Sequence, residues 1–269
     1  MARVPLMAAN WKMNKTVAEG VALAKALAEK IASLSGPEVV VCPPATALYA
    51  VGQDIAGTKL ALGAQDIFWE AKGAYTGMLA PEMLKDVSCS YVIVGHSERR
   101  GRFGKSDLTP ELLSVFGDND TTVNRKAQVA LANDLKPIIC VGETLAERQA
   151  GNTDSVIAAQ LEKALQGLSA DAADLIVAAY EPVWAIGTGE TCDPIEANRV
   201  IAMMRGVVAT VMGDEAAAKM RLLYGGSVTA DNSDVIMEQS DIDGVLVGGA
   251  SLDAEKFARI AFSGTKKTG

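Results

Sequence analysis

Eight short apolar runs, seven of them followed by a stretch with helical spacing, constrain this chain more than any other feature. The runs fall at 6–12, 39–42, 60–64, 91–95, 137–141, 175–181, 222–224 and 244–247. Most are continuously apolar, the pattern of strands buried on both faces, as parallel sheets covered by helices produce. Between them, helical periodicity predicts helices at 16–34, a short one ending near 51, then 122–133, 155–165, 194–212, 234–238 and 254–262. Thr16 stands where a helix cap belongs and Pro194 where a first turn tolerates proline. Eight such strands alternating with helices argue for the α/β class and a closed (β/α)8 barrel. An open doubly wound sheet would carry a phosphate fingerprint after its first strand, where this chain has Asn10-Trp11-Lys12. No linker or low-complexity stretch interrupts the alternation, so a single domain is expected over residues 1–269.

Composition narrows the function classes. At 269 residues and 49% hydrophobic, the chain can bury a large core. Its formal net charge of −8 argues against a nucleic-acid or anionic-membrane surface. An anionic small substrate remains compatible, because backbone amides and helix N-termini hold phosphate even in acidic proteins. No run is long enough to span a bilayer. Cys42, Cys89, Cys140 and Cys192 lack metal or disulfide-framework spacing, and Met1-Ala2-Arg3-Val4-Pro5 carries no leader pattern, so a cytoplasmic location is expected. His96 is the only histidine, which excludes multi-histidine metal sites.

In a (β/α)8 barrel, chemistry sits at the carboxyl ends of the strands. Those positions hold Asn10 and Lys12 after the first strand, two apart and so expected on one side of it. They also hold His96 with Ser97 and Glu98 after the fourth, and Glu181 after the sixth. Gly225-Gly226-Ser227 follows the seventh strand and Gly248-Gly249-Ala250-Ser251 the eighth, where many barrels bind phosphate with backbone N–H groups. Taken singly, each has a plain structural explanation: a solvated lysine, a hydrogen-bonded histidine, a turn carboxylate, a tight glycine turn. Together they put a base, an acid, a cation and two amide-rich loops on one rim. The stretch from Ala179 to Gly189 adds a lid pattern, with a carboxylate, a rigid Pro182, packing residues Val183 and Trp184, and a glycine-rich exit.

These residues resemble the triosephosphate isomerase family. The resemblance rests on Ala9-Asn10-Trp11-Lys12-Met13-Asn14, Gly73-Ala74-Tyr75-Thr76-Gly77, Val94-Gly95-His96-Ser97-Glu98-Arg99-Arg100 and Cys140-Val141-Gly142-Glu143, with Tyr180 through Gly189, Tyr224-Gly225-Gly226-Ser227-Val228 and Val247-Gly248-Gly249-Ala250-Ser251-Leu252. It covers nearly the whole chain and implies a TIM barrel that interconverts dihydroxyacetone phosphate and glyceraldehyde 3-phosphate through an enediol(ate). It implies Glu181 as the base, desolvated and made more basic once a lid carrying Val183 and Ile186 closes, and His96 as the group that polarises the carbonyl and shuttles protons between the oxygens, with Lys12 and Asn10 stabilising negative charge. The family is itself the reference case for a neutral catalytic imidazole whose pKa is lowered by a helix N-terminus, here expected near Ser97. The resemblance further implies phosphate binding by Gly187, Ser227, Gly248 and Gly249. It implies no metal or organic cofactor, since every proton carrier is a side chain, and a homodimer joined through the loop around Thr76. The alternative is a catalytically silent phosphate-binding barrel.

Two features depart from the family pattern. The start of the loop after the histidine segment occurs twice, as Phe103-Gly104 and Phe116-Gly117, so that a piece around 104–116 reads as an insertion. Within it, Thr109-Pro110-Glu111 reads as a capped helical turn. Such an insertion is tolerable at little entropic cost, or else its Leu112, Leu113, Val115 and Phe116 pack against a neighbouring subunit or the active-site rim. The second departure is Met78, where the family commonly has Glu, and it touches the pairing geometry of the dimer arm.

Overall fold

The strands form because their side chains alternate between two buried environments. In the computed structural model, which describes residues 3–103 and 108–267, they are β1 (Leu6–Asn10), β2 (Glu38–Cys42), β3 (Leu60–Ala64), β4 (Cys89–Val94), β5 (Lys136–Val141), β6 (Val177–Tyr180), β7 (Arg221–Tyr224) and β8 (Gly244–Val247). All pair in parallel with their sequence neighbours, and β1 closes on β8. One side-chain set, including Leu6, Ala8, Val40, Cys42, Ile93 and Cys140, fills the barrel interior. The intervening residues, such as Met7, Ala9, Val39, Val41, Val92 and Val94, pack outward against the helices. Two-sided burial is thus the reason for the unbroken apolar runs.

The helices follow the expected pattern with shifted ends. Thr16 caps the helix Val17–Lys30 in a reciprocal box with Glu19. This helix stops before the expected residue 34, because Ile31 and Leu34 stay buried in the turn beyond its end and prolong the apolar pattern. The helix Asp120–Ala132 starts two residues early, since the Asn119 side chain accepts from the Thr121 and Thr122 N–H groups. The second helix runs on to Ile55. Three short helices, Pro81–Asp86, Leu145–Gln149 and Asp214–Lys219, were not expected; none exceeds 6 residues, too few to display a period. No helix among the described residues is long and apolar enough to cross a membrane.

The segment between the two Phe-Gly pairs begins with residues 104–107, which lie outside the described residues. Beyond them, Pro110–Leu113 forms one helical turn, but Thr109 makes no side-chain cap bond, contrary to the expected cap. Pro110, with its fixed φ, starts this turn, and the Thr109 hydroxyl bonds the Glu111 side chain instead. The duplicated phenylalanines meet at the segment's base, with the Phe103 and Phe116 rings edge to face at 5.2 Å.

At the amino ends of the strands, inward positions turn polar and form one cluster. The Tyr91 hydroxyl donates to Glu38 Oε2 at 2.5 Å, and Arg221 donates to the same oxygen at 2.8 Å. Lys136 approaches the Tyr91 hydroxyl and the Glu38 carboxylate. Burial pushes the Glu38 pKa up, but its bonds to Tyr91 and Arg221 outweigh that and hold it below the usual carboxylate value. A depressed folded-state pKa contributes stability above the unfolded value, and the contribution is lost as pH falls through the folded one. We therefore expect Glu38→Gln to lower stability by about 1–2 kcal/mol at pH 7. In denaturant titrations the gap to the parent should close below about pH 4.3, the ordinary glutamate value.

Candidate functional site

Strand parity accounts for two of the site residues. Continuing the interior sets 6, 8 and 177, 179 along β1 and β6 points Asn10 and Glu181 toward the barrel axis. On β4 the same parity would turn His96 outward. Gly95 prevents this by adopting φ +68, a left-handed turn in which an added Cβ would sit 2.5 Å from a Val123 methyl carbon. Lys12 corrects the expectation of a strand running to residue 12, since β1 stops at Asn10 and Lys12 has φ +53. Its N–H donates to Asn10 Oδ1 at 3.0 Å, and Gln65 Nε2 donates to its carbonyl at 2.8 Å. The lysine therefore reaches the rim through a turn fixed by two amides, not through strand alternation.

One cavity of about 350 Å³ at the carboxyl ends of the strands is lined by all eight expected residues: Asn10, Lys12, His96, Glu181, Gly187, Ser227, Gly248 and Gly249. Glu181 is only 1% exposed. Its Oε2 accepts the Ser97 N–H at 2.9 Å, and its Oε1 lies 2.8 Å from His96 Nε2 without a directed hydrogen bond. Burial pushes the Glu181 pKa up, yet the adjacent His96 ring, the Ser97 amide and the Lys12 charge outweigh it, leaving the carboxyl below its usual value. The expected rise in basicity is thus absent from this conformation, because the carboxylate rests among groups that favour its charge.

A short 3-10 turn, Ser97–Arg100, begins where a helix was expected. His96 Nδ1 accepts the Glu98 N–H at 3.2 Å, so its lone pair is engaged there and the ring proton belongs on Nε2. That turns the Nε2 edge of the ring toward Glu181 and the cavity. Glu98, which carried no assigned role in the sequence, pairs with Lys12 Nζ at 2.7 Å. Its place two residues after the histidine was the available signal.

The lid pattern folds as a 3-10 turn, Val183–Ala185, after Pro182, with Gly187 and Gly189 at φ +68 and +86. Its anchor was legible only as the last residue of Cys140-Val141-Gly142-Glu143. Trp184 Nε1 donates to Glu143 Oε1 at 2.9 Å and the Tyr180 hydroxyl donates to the same atom at 3.2 Å. The Arg148 guanidinium covers the Trp184 ring at 4.5 Å. Burial raises the Glu143 pKa, and its Oε2 has no hydrogen-bond partner among the described residues, so each donor on Oε1 carries weight. Trp184→Phe should cost about 1 kcal/mol of stability by removing one such donor. It should also change kcat and KM together, as lid variants do, which thermal unfolding and steady-state kinetics on the same preparation would measure.

Comparison with known proteins adds to the geometry. Residues 5–263 match the family model described as triosephosphate isomerase. The chain is 51% identical to the triosephosphate isomerase of Herpetosiphon aurantiacus over 96% of its own length and 98% of the relative's. It is 50% identical to that of Endomicrobium trichonymphae over the same shares. Among solved structures, it resembles the Bartonella henselae triosephosphate isomerase with a TM-score of 0.83 and 36% identity, covering 97% of this chain and 98% of that one.

Proposed function

The chain belongs to the triosephosphate isomerase family, and on that premise we propose that its rim cavity interconverts dihydroxyacetone phosphate and D-glyceraldehyde 3-phosphate. The observation that carries this reading is the convergence of Glu181, His96 and Lys12 on one cavity flanked by glycine-rich loops. In the proposed reaction, Glu181 leaves the Ser97 amide and removes a proton from the substrate carbon beside the carbonyl. His96 Nε2–H donates to the carbonyl oxygen as the enediolate forms, which suits the tautomer fixed by the Glu98 N–H. Lys12 and Asn10 stabilise the developing negative charge. Glu181 then returns its proton to the former carbonyl carbon, while His96 passes its proton to the former carbonyl oxygen and takes one from the adjacent hydroxyl, whose oxygen becomes the new carbonyl. Amides at Gly187, Ser227, Gly248 and Gly249 hold the phosphate, and lid closure keeps water from the enediolate. No metal or organic cofactor enters the scheme.

Glu181→Asp withdraws the carboxylate by one methylene. We expect kcat to fall by about 10²–10³-fold with the fold intact, read in a coupled assay with glyceraldehyde 3-phosphate. Near-parental turnover would refute Glu181 as the base. A parent enzyme with no isomerase activity would leave the phosphate-binding alternative.

The proposal extends to a cytoplasmic homodimer. The four cysteines are buried and free, in keeping with a reducing compartment. Residues 71–78 stand exposed as an arm, Tyr75 and Met78 among them. A cavity of about 310 Å³ beside Lys12 and His96, walled by Leu48, Leu79, Arg99 and Phe116, offers that arm a seat on a second copy. Met13, 95% exposed, borders it. Phe116 brings the proposed insertion to this wall, and Val115 shares a second cavity with Met78, where the two departures from the family pattern meet. Sedimentation should find a dimer at assay concentrations, and a fully active monomer would overturn this part.

A further inference from the structure

The main chain of Glu181 is laid on a three-residue template at the end of β5. Its N–H donates to the Val141 carbonyl at 2.8 Å, and the Val183 N–H donates to the Glu143 carbonyl at 3.1 Å. Between these bonds, Gly142 lies so close that an added Cβ would fall 1.7 Å from the Glu181 carbonyl oxygen. Any shift of Gly142 therefore carries the Glu181 backbone with it.

Gly142 is in turn gripped by one side chain. Its N–H donates to Gln160 Oε1 at 2.9 Å, and Gln160 Nε2 donates back to its carbonyl at 3.1 Å. Two antiparallel bonds to a single residue fix tilt as well as position. Gln160 is 5% exposed and sits on the helix Thr153–Leu165 among buried Ile157, Leu161, Ala164 and Leu165. A buried amide in such surroundings is costly unless both its groups are satisfied, and here both are satisfied by Gly142. The Gly142 carbonyl also accepts Arg102 Nη2 at 3.2 Å, from the turn region that carries His96. The same peptide group thus joins the segments bearing base and acid.

We propose that Gln160 is a positioning residue for the isomerisation, setting the place of the Glu181 carboxylate through the Gly142 peptide. The proposal rests on the isomerase reading above. Gln160→Met keeps length and removes both bonds, and it should lower kcat by about 10–100-fold with KM within about twofold, as a small displacement of a base does. Gln160→Glu is the sharper test. Its protonated acid offers one acceptor and one donor, like the amide, whereas its carboxylate faces the Gly142 carbonyl with acceptors alone. Burial raises the pKa of such a group into the working range. This variant should have kcat within about threefold of the parent at acid pH and lose about tenfold more than the parent as pH rises. Should the Met variant not fold, the pH profile of the Glu variant decides. A folded Met variant with kcat within about twofold of the parent, a KM rise equal to the kcat loss, or a Glu variant whose profile parallels the parent's would overturn the assignment. An inactive parent would instead sink the isomerase reading itself.

Discussion

A carboxylate as enclosed as Glu181 keeps its charge only if neighbours compensate for the lost water. The rim is arranged around that requirement. The Ser97 amide, the His96 ring and the Lys12 ammonium face the carboxylate from two different loops. Its pKa is accordingly held below the usual carboxylate value. The lid residues Ala185, Ile186 and Gly187 close one side of this space.

The two ends of the barrel use polar residues differently. At the amino ends, Glu38, Tyr91, Lys136 and Arg221 satisfy one another across four strands and seal the bottom of the interior. At the carboxyl ends, polar groups are left in unequal circumstances, such as Oε2 of Glu143, which has no hydrogen-bond partner among the described residues. The first arrangement serves stability; the second leaves room for movement and chemistry.

Much of this was legible in the sequence because burial on two faces leaves an unmistakable apolar run, and because strand parity is simple arithmetic. Asn10 and Glu181 follow from that arithmetic. His96 does not, since its orientation depends on a left-handed turn at Gly95, and neither does Lys12, whose own turn is held by Gln65 from another loop. Helix ends drifted where buried residues such as Leu34 continued past the last helical bond. Contacts like Trp184 to Glu143 join residues 41 apart. No local pattern encodes such pairs, and only the closed barrel brings them together.

The edge-to-face contact of Phe103 with Phe116 fastens the two ends of the intervening piece to each other. That clasp sets where the piece re-enters the barrel, because Phe116 walls the cavity beside Lys12 and His96 and the Asp118 N–H donates to the Arg99 carbonyl at 3.0 Å. Sequence spliced between the rings would thus be tethered at both ends yet stay next to the rim, a graft position whose cargo sits beside the site and not apart from it.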